Sequence, residues 1–364
     1  MTELQLALAP IAAQAPPRHQ SRLWRDWFGT PGNAVITVLC SVALIAIGWF
    51  AIKWLFLDAT YAGTPEACKA GHGACWPFLT AKLRYMAFGF YPFEEQWRPL
   101  LSLLIFLGAA VASMVPRLWG RGLLIAWIVV ILPGLYILMA GGFFGLLPVA
   151  TTQWGGLPLS FMLSFVGLAC ALPLGILLAL SRASDLPVIR VLATSFIEIV
   201  RGVPLISILF MATVMLPLFM PEGVTVDKLI RAQVAIIIFA AAYIAEIVRG
   251  GLQDVPKGQT EAGSALGLGY WPVMFKIVLP QAIKKVIPPL VALFIGFFQD
   301  TTLVTIVGLL DFLDTVRSAM RDPAWQGIAV LEGYVFAAAV YFIFSALMGA
   351  YSRFLERYFR TTHD

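Results

Sequence analysis

Long stretches of apolar residues, each close to the length that crosses a bilayer, constrain this chain more than any other feature. A span needs about 20 mostly apolar residues in helical form, because the bilayer interior holds no water to satisfy backbone groups. Eight stretches of the 364-residue chain qualify, at 34–56, 99–116, 122–147, 157–181, 191–219, 232–251, 284–310 and 329–352. The chain is 60% hydrophobic and 12% charged, about half the charge of an ordinary soluble domain. The expectation is an all-α integral membrane protein with about eight transmembrane helices. A net charge of +5 would suggest nucleic acid in a soluble chain. In a membrane chain it reads as basic loops on one side, so lipid is an expected partner and nucleic acid is not.

Charge also sets the orientation. With the N-terminus inside, the inner segments hold fifteen Lys and Arg and the outer segments eight, which favours N-in, C-in. The expected organisation is a cytoplasmic tail over 1–33, then three spans over 34–150 with an outer loop at 57–98. Five spans over 151–355 follow, with a cytoplasmic loop at 252–283, and a tail over 356–364 ends the chain. The stretch 122–147 also reads as one span plus a short outer hairpin. Cys68 and Cys75 share the outer loop. An oxidising compartment permits a bridge there, but spacing does not decide between a bridge and two thiols. The histidines, at His19, His72 and His363, form no metal or catalytic pattern.

Four ionisable residues lie deep in the apolar runs: Glu198 and Arg201 in FIEIVRGVPLI, Glu246 in AAYIAEIVRGG, and Asp300 in GFFQDTTLVTIVG. A charge at mid-span costs roughly 2.5–3.5 kcal/mol on insertion scales, so such residues face a bundle interior, paired or wetted. Glu198 and Arg201 share a helical face. They suit either a mutual salt bridge or a pair that meets a zwitterion. Glu246 precedes Arg249 at the same spacing, which suits a structural or interfacial role. Asp300 has no basic residue within four positions and is flanked by Gln299, Thr301 and Thr302. Gly296, Gly308 and the β-branched run from Thr301 to Val307 weaken the helix there, and transport folds place substrate sites at broken helices near the midplane. Asp300, Glu198, Arg201, Gln299, Thr301, Thr302 and Glu246 are therefore the candidates for a substrate pathway. Pro173, Pro204, Pro217, Pro288 and Pro289 fall within spans, where each removes a donor and can kink the helix.

One polar segment interrupts the spans: QTEAGSALGLGYWPVMFKIVLPQ, Gln259 to Gln281. Pro256 to Leu266 can form a short helix, with Asp254 as cap and Gly267 ending it in a left-handed turn. Ala262, Gly263, Ser264 and Ala265 leave little bulk, so another surface can approach. Glu261 offers one charge to it. Pro280 marks the next boundary.

Glu261-Ala262-Gly263, then Gly267, then Ile277-Val278-Leu279-Pro280, resembles the cytoplasmic EAA loop of ABC importer permeases, whose pattern is Glu-Ala-Ala, three residues, Gly, nine residues, Ile-x-Leu-Pro. Gly263 in place of the second Ala is the one departure. EIVRGVPLI, RGGLQDVPKGQTEAG and QDTTLV are similar to stretches of the polar amino acid permeases, with Val203 where Thr is usual and Gln299 where Lys is frequent. The resemblance covers about 155–355. A five-helix ABC permease core preceded by three more helices is similar to a permease subunit of the general L-amino acid importer.

The resemblance implies a function and partners. The loop would be the coupling helix that docks into an ABC ATPase subunit. A second permease would complete the pathway, as a heterodimer, and a periplasmic amino-acid-binding protein would deliver an L-amino acid substrate. The location would be the bacterial inner membrane. The chain has no G-x-x-x-x-G-K-[ST], so ATP and Mg belong on the partner; no cofactor on this chain, no metal and no catalytic residue are expected. The rival is a secondary carrier or channel driven by an ion gradient, using Asp300 and Glu246. A noncatalytic assembly or signalling subunit is a third reading, which suits the first three spans.

Overall fold

A computed structural model of the protein describes Trp24 and residues 26–361, with side chains as far as Phe359. Arg18, His19, Arg22, Arg25 and His363 lie outside them. Packing divides the chain into two units, one ending at Cys75 and one beginning at Trp76.

In the first unit, helix α1 (Pro31–Leu57) is the first candidate span. Pro31 occupies its first turn and the Thr30 hydroxyl accepts from the Asn33 N–H at 3.2 Å. A short helix α2 (Pro65–Ala70) follows. Cys68 and Cys75, whose state the spacing left open, are joined in a disulfide.

The second unit contains α3 (Trp76–Phe88), α4 (Phe93–Ser113), α5 (Arg121–Ala140), α6 (Gly156–Arg182), α7 (Pro187–Gly202) and α8 (Leu205–Phe219). It continues with α9 (Lys228–Gln253), α10 (Lys257–Ala265), α11 (Tyr270–Val307), α12 (Phe312–Met320) and α13 (Val330–Thr361). The expected outer loop at 57–98 thus contains two helices, α2 and α3, and α13 runs through most of the expected tail at 356–364. Among the described residues there are seven helices of span length, or eight if α7 and α8 count as one. The expected continuous span over 191–219 is corrected: α7 and α8 meet at 101°. The cause is local. Val203 is extended, as a residue before proline tends to be, and the Pro204 carbonyl accepts the first N–H groups of α8.

The core lies along α6 and α9, where Ala232, Ala235, Ala240, Ala241, Ala242 and Ala245 are buried and let the helices approach closely. An aromatic seam of Phe106, Phe161 and Phe298 ties α4, α6 and α11 together. The expected hairpin after α5 is present, with Leu146 accepting from Gly142. Arg98, counted from sequence as an outer-loop charge, is fully buried. Its guanidinium donates to the carbonyls of Leu138 (2.7 Å) and Leu147 (2.8 Å). It thereby satisfies a carbonyl that the end of α5 leaves without a helical partner and ties it to the hairpin that follows.

Candidate functional site

The segment at 257–267 takes the expected form. Lys257–Ala265 is helical, and Gly267 follows with φ of 76°, in the left-handed region that favours glycine. The Gly267 and Leu268 N–H groups donate to the carbonyls of Ser264 and Gly263, closing the helix end. Two expected details are corrected. Asp254 does not cap α10; its carboxylate pairs with the Lys285 ammonium at 2.7 Å, and its carbonyl accepts from the same group at 2.6 Å. Pro280 does not end a helix. The chain is helical from Tyr270 onward, with a π turn over Met274–Val278 just ahead of the proline, where the missing donor would otherwise leave a gap in the ladder.

Contacts from α11 hold α10 and the turn before it. Lys285 and Gln281 lie on α11. The first grips Asp254, and the Gln281 amide donates to Gln259 Oε1 at 3.1 Å. Beneath the helix, Val255, Val273, Val278 and Ala282 form a small buried cluster. Gly263 is the buried member of α10, and a Cβ there would stand 2.8 Å from Val273 Cγ2 and 3.2 Å from Ile277 Cδ1. That contact leaves no room for a large side chain at this position. The opposite face, with Thr260, Glu261, Ala262, Ser264 and Ala265, is exposed. Of the later motif residues, Ile277 and Leu279 are half-buried and Pro280 is exposed.

The charges behind this helix pair across helices as well as along them. Glu198 and Arg201 do not pair with each other. Glu198 binds Arg182 at 2.9 Å, and Arg182 also binds Glu246 at 3.0 Å. Glu246 in turn takes Arg201 at 3.5 Å, and Arg249 as its i,i+3 neighbour. The cluster thus joins the last turn of α6, the end of α7 and the last third of α9. Glu198 is more than half exposed, because the break at Pro204 ends α7 here instead of carrying it into a bundle. The Arg201 side chain lies over the Tyr243 ring at 5.4 Å, and its buried Nε has no hydrogen-bond partner among the described residues. Three guanidiniums against two carboxylates leave an excess of positive charge. Beside it, a cavity of about 540 Å³ is lined by Arg182, Arg249, Gln253, Lys257 and Thr260. The cluster and α10 therefore share one cavity. Arg182, the hub, was missed from sequence, where it read as one more basic loop residue. The only signal was its position at a span end.

Asp300 stands apart from this cluster. It ends the regular part of α11, which tightens into a 3-10 turn over Thr301–Val307 as the β-branched run suggested. Asp300 lies beyond Lys285 by about 22 Å along the axis, at 1.5 Å per residue. Its carboxylate is half-buried and has no hydrogen bond or ion pair among the described residues. Gln299 donates to the Ser345 hydroxyl on α13 at 3.3 Å. Thr302 is half-buried. Thr301 is buried, and its hydroxyl donates to the Phe298 carbonyl.

Residues 171–361 match the family model for the binding-protein-dependent transport system inner membrane component. The chain is 46% identical over 371 residues to the inner membrane amino-acid ABC transporter permease protein YhdY of Escherichia coli, with 99% of each chain covered. It is 34% identical over 402 residues to the glutamate/glutamine/aspartate/asparagine transport system permease protein BztC of Rhodobacter capsulatus, with 92% of each covered. A crystal structure of an amino acid ABC transporter with histidines aligns to 54% of this chain and 89% of its own, at 28% identity and a TM-score of 0.48.

Proposed function

We infer the function from one premise: the chain belongs to the family of binding-protein-dependent transport system inner membrane components. It is an inner-membrane permease of the ABC importer type, and the proposal concerns how it works and with what. The substrate is a polar L-amino acid, as the names of its relatives suggest. A separate ATPase subunit, carrying ATP and Mg, docks on α10 from the cytoplasm, with both chain ends on that side. A second permease, different in sequence, completes the pathway, and a periplasmic binding protein delivers the substrate. This chain itself binds no cofactor and carries no bond chemistry. Residues 34–150 form an extension and 151–355 the permease core.

The observation that supports this most is the form of α10. Its outer face is small, polar and free, with Glu261 at the centre. Its inner face rests on α11 through Gln281 and through Val273 and Ile277 beneath Gly263, while Lys285 ties α11 to Asp254 at the end of α9. A force applied to such a helix moves both spans at once. It also reaches the cavity where Arg182 links three helices through Glu198 and Glu246. Closure of the ATPases on ATP would bring the coupling helices together, rearrange these ion pairs and open the pathway toward the outer face. Asp300 and Gln299 would meet the substrate deeper in the membrane.

Reconstitution in proteoliposomes tests the reading. Uptake is expected only with ATP inside, the ATPase, the second permease and the binding protein outside. Uptake driven by a proton or sodium gradient in this chain alone would replace it with a secondary carrier using Asp300 and Glu246.

A further inference from the structure

A second cavity, of about 270 Å³, lies away from the charged cluster. It sits where α4, α5, α6 and α9 meet. Leu103, Phe106, Leu135, Phe161, Met162 and Val166 make its walls apolar. Three of its lining residues nevertheless carry buried polar atoms with no hydrogen-bond partner among the described residues: Ser102 Oγ, Trp154 Nε1 and Gln233 Oε1. Trp154 is 1% exposed and Ser102 5%. Native proteins rarely leave such atoms unpaired, and several together at one cavity point to a missing partner. That partner has to be mostly hydrocarbon, with a few polar atoms at one end.

The placement says where the polar end goes. Trp154 lies just ahead of the start of α6, Gln233 in the second turn from the start of α9, and Ser102 near the middle of α4, about 13 Å along the axis from its start. Those starts share one membrane face, since the Tyr91 hydroxyl donates to the Met139 carbonyl at 2.8 Å and the Thr151 hydroxyl to Asp227. The walls then run down along the spans to Val166. We propose that this cavity takes one acyl chain of a glycerolipid of the surrounding bilayer, with the glycerol esters and head group at its polar mouth. The acyl ester carbonyls accept from Trp154 N–H and the Ser102 hydroxyl, the chain fills the apolar floor, and a head-group donor reaches Gln233 Oε1. Indole is donor-only and the Gln233 oxygen acceptor-only, so the site asks for both ester carbonyls and an N–H or O–H in the head. Phosphatidylethanolamine and phosphatidylglycerol have these; phosphatidylcholine lacks the donor.

Native mass spectrometry of the full chain, released from mild detergent after delipidation and re-addition of a single lipid, tests this. Wild type is expected to retain one phosphatidylethanolamine or phosphatidylglycerol per chain, and phosphatidylcholine at least tenfold less. The double variant S102A/W154F should lose retention about tenfold. Gln233→Leu should erase the preference over phosphatidylcholine while leaving some binding. Leu135→Trp, which fills the cavity from its apolar wall and leaves the polar atoms intact, should also exclude the lipid while the chain stays monodisperse. Retention unchanged in both S102A/W154F and Leu135→Trp would overturn the site. So would a broad distribution of adducts with no head-group preference, the mark of annular lipid only.

Discussion

Asp311 shows what one buried side chain does in this fold. It is fully buried, its carboxylate accepts from the Leu313 and Asp314 N–H groups at the start of α12, and the Tyr341 hydroxyl donates to it at 3.2 Å. Burial dominates these contacts and pushes its pKa from 3.8 up to about 6. The folded protein therefore holds this proton more tightly than the unfolded chain. Stability from this group is present at low pH and is lost as pH rises toward and through about 6. Acidification from pH 7 to pH 5 is expected to raise the stability of wild type by on the order of 1 kcal/mol relative to Asp311→Asn. Thermal unfolding of both in detergent at the two pH values measures it; equal shifts would show that the carboxyl does not titrate there. Asp300 supports a different expectation. Its carboxylate has no partner among the described residues, so Asp300→Asn should leave assembly intact and lower uptake most for cationic amino acids. An equal loss for every substrate, measured by competition in vesicles, would make the residue structural. Asp300 was legible from sequence because isolation along the chain sufficed to single it out. The pairing of Glu198 with Arg182 was not, because it joins residues on different helices, and helical spacing speaks only of near neighbours.

At the scale of elements, α10 was the most legible part of the chain. A helix of small residues closed by Gly267 follows from local chemistry, and local chemistry suffices when an element is short and capped. The supports of α10 were hidden for the opposite reason. Gln281 reaches it from α11, and Asp254, the expected cap, is taken by Lys285 at the end of α9 instead. Gly263 offers a test of those supports. The atoms nearest its missing Cβ are methyl groups of Val273 and Ile277, which rotate or shift by a few tenths of an ångström. Gly263→Ala is therefore expected to keep transport, at a cost of under about 1.5 kcal/mol. Gly263→Leu should lift α10 off its bed and abolish ATP-driven uptake while the chain remains folded and in the membrane. Uptake assays beside fluorescence-detected size exclusion separate the outcomes. Normal uptake by the leucine variant would mean that the clamp is not needed for coupling. The break between α7 and α8 was half visible. Pro204 announced a kink, but the 101° turn depends on Val203 becoming extended, and proline in a span permits either outcome.

For the whole molecule, apolar length and the scarcity of charge gave the fold class and nearly all the spans, because the bilayer leaves few alternatives to helices. Arg98 illustrates what such counting misses. A basic residue at a span end looks like a loop charge, yet it is buried against carbonyls at the end of α5. The functional claim rests on force passing from a nucleotide-driven partner through α10 into α9 and α11. A cysteine at Ala262, in a chain whose Cys40 and Cys170 are replaced by serine, gives the most direct test when paired with single cysteines around the groove of the partner ATPase. The expected result is a disulfide between the two subunits in inside-out vesicles, with a yield that changes between nucleotide-free and ATP-bound states. No crosslink at any groove position, or labelling of the Ala262 cysteine by a membrane-impermeant reagent only from the outer face, would contradict it.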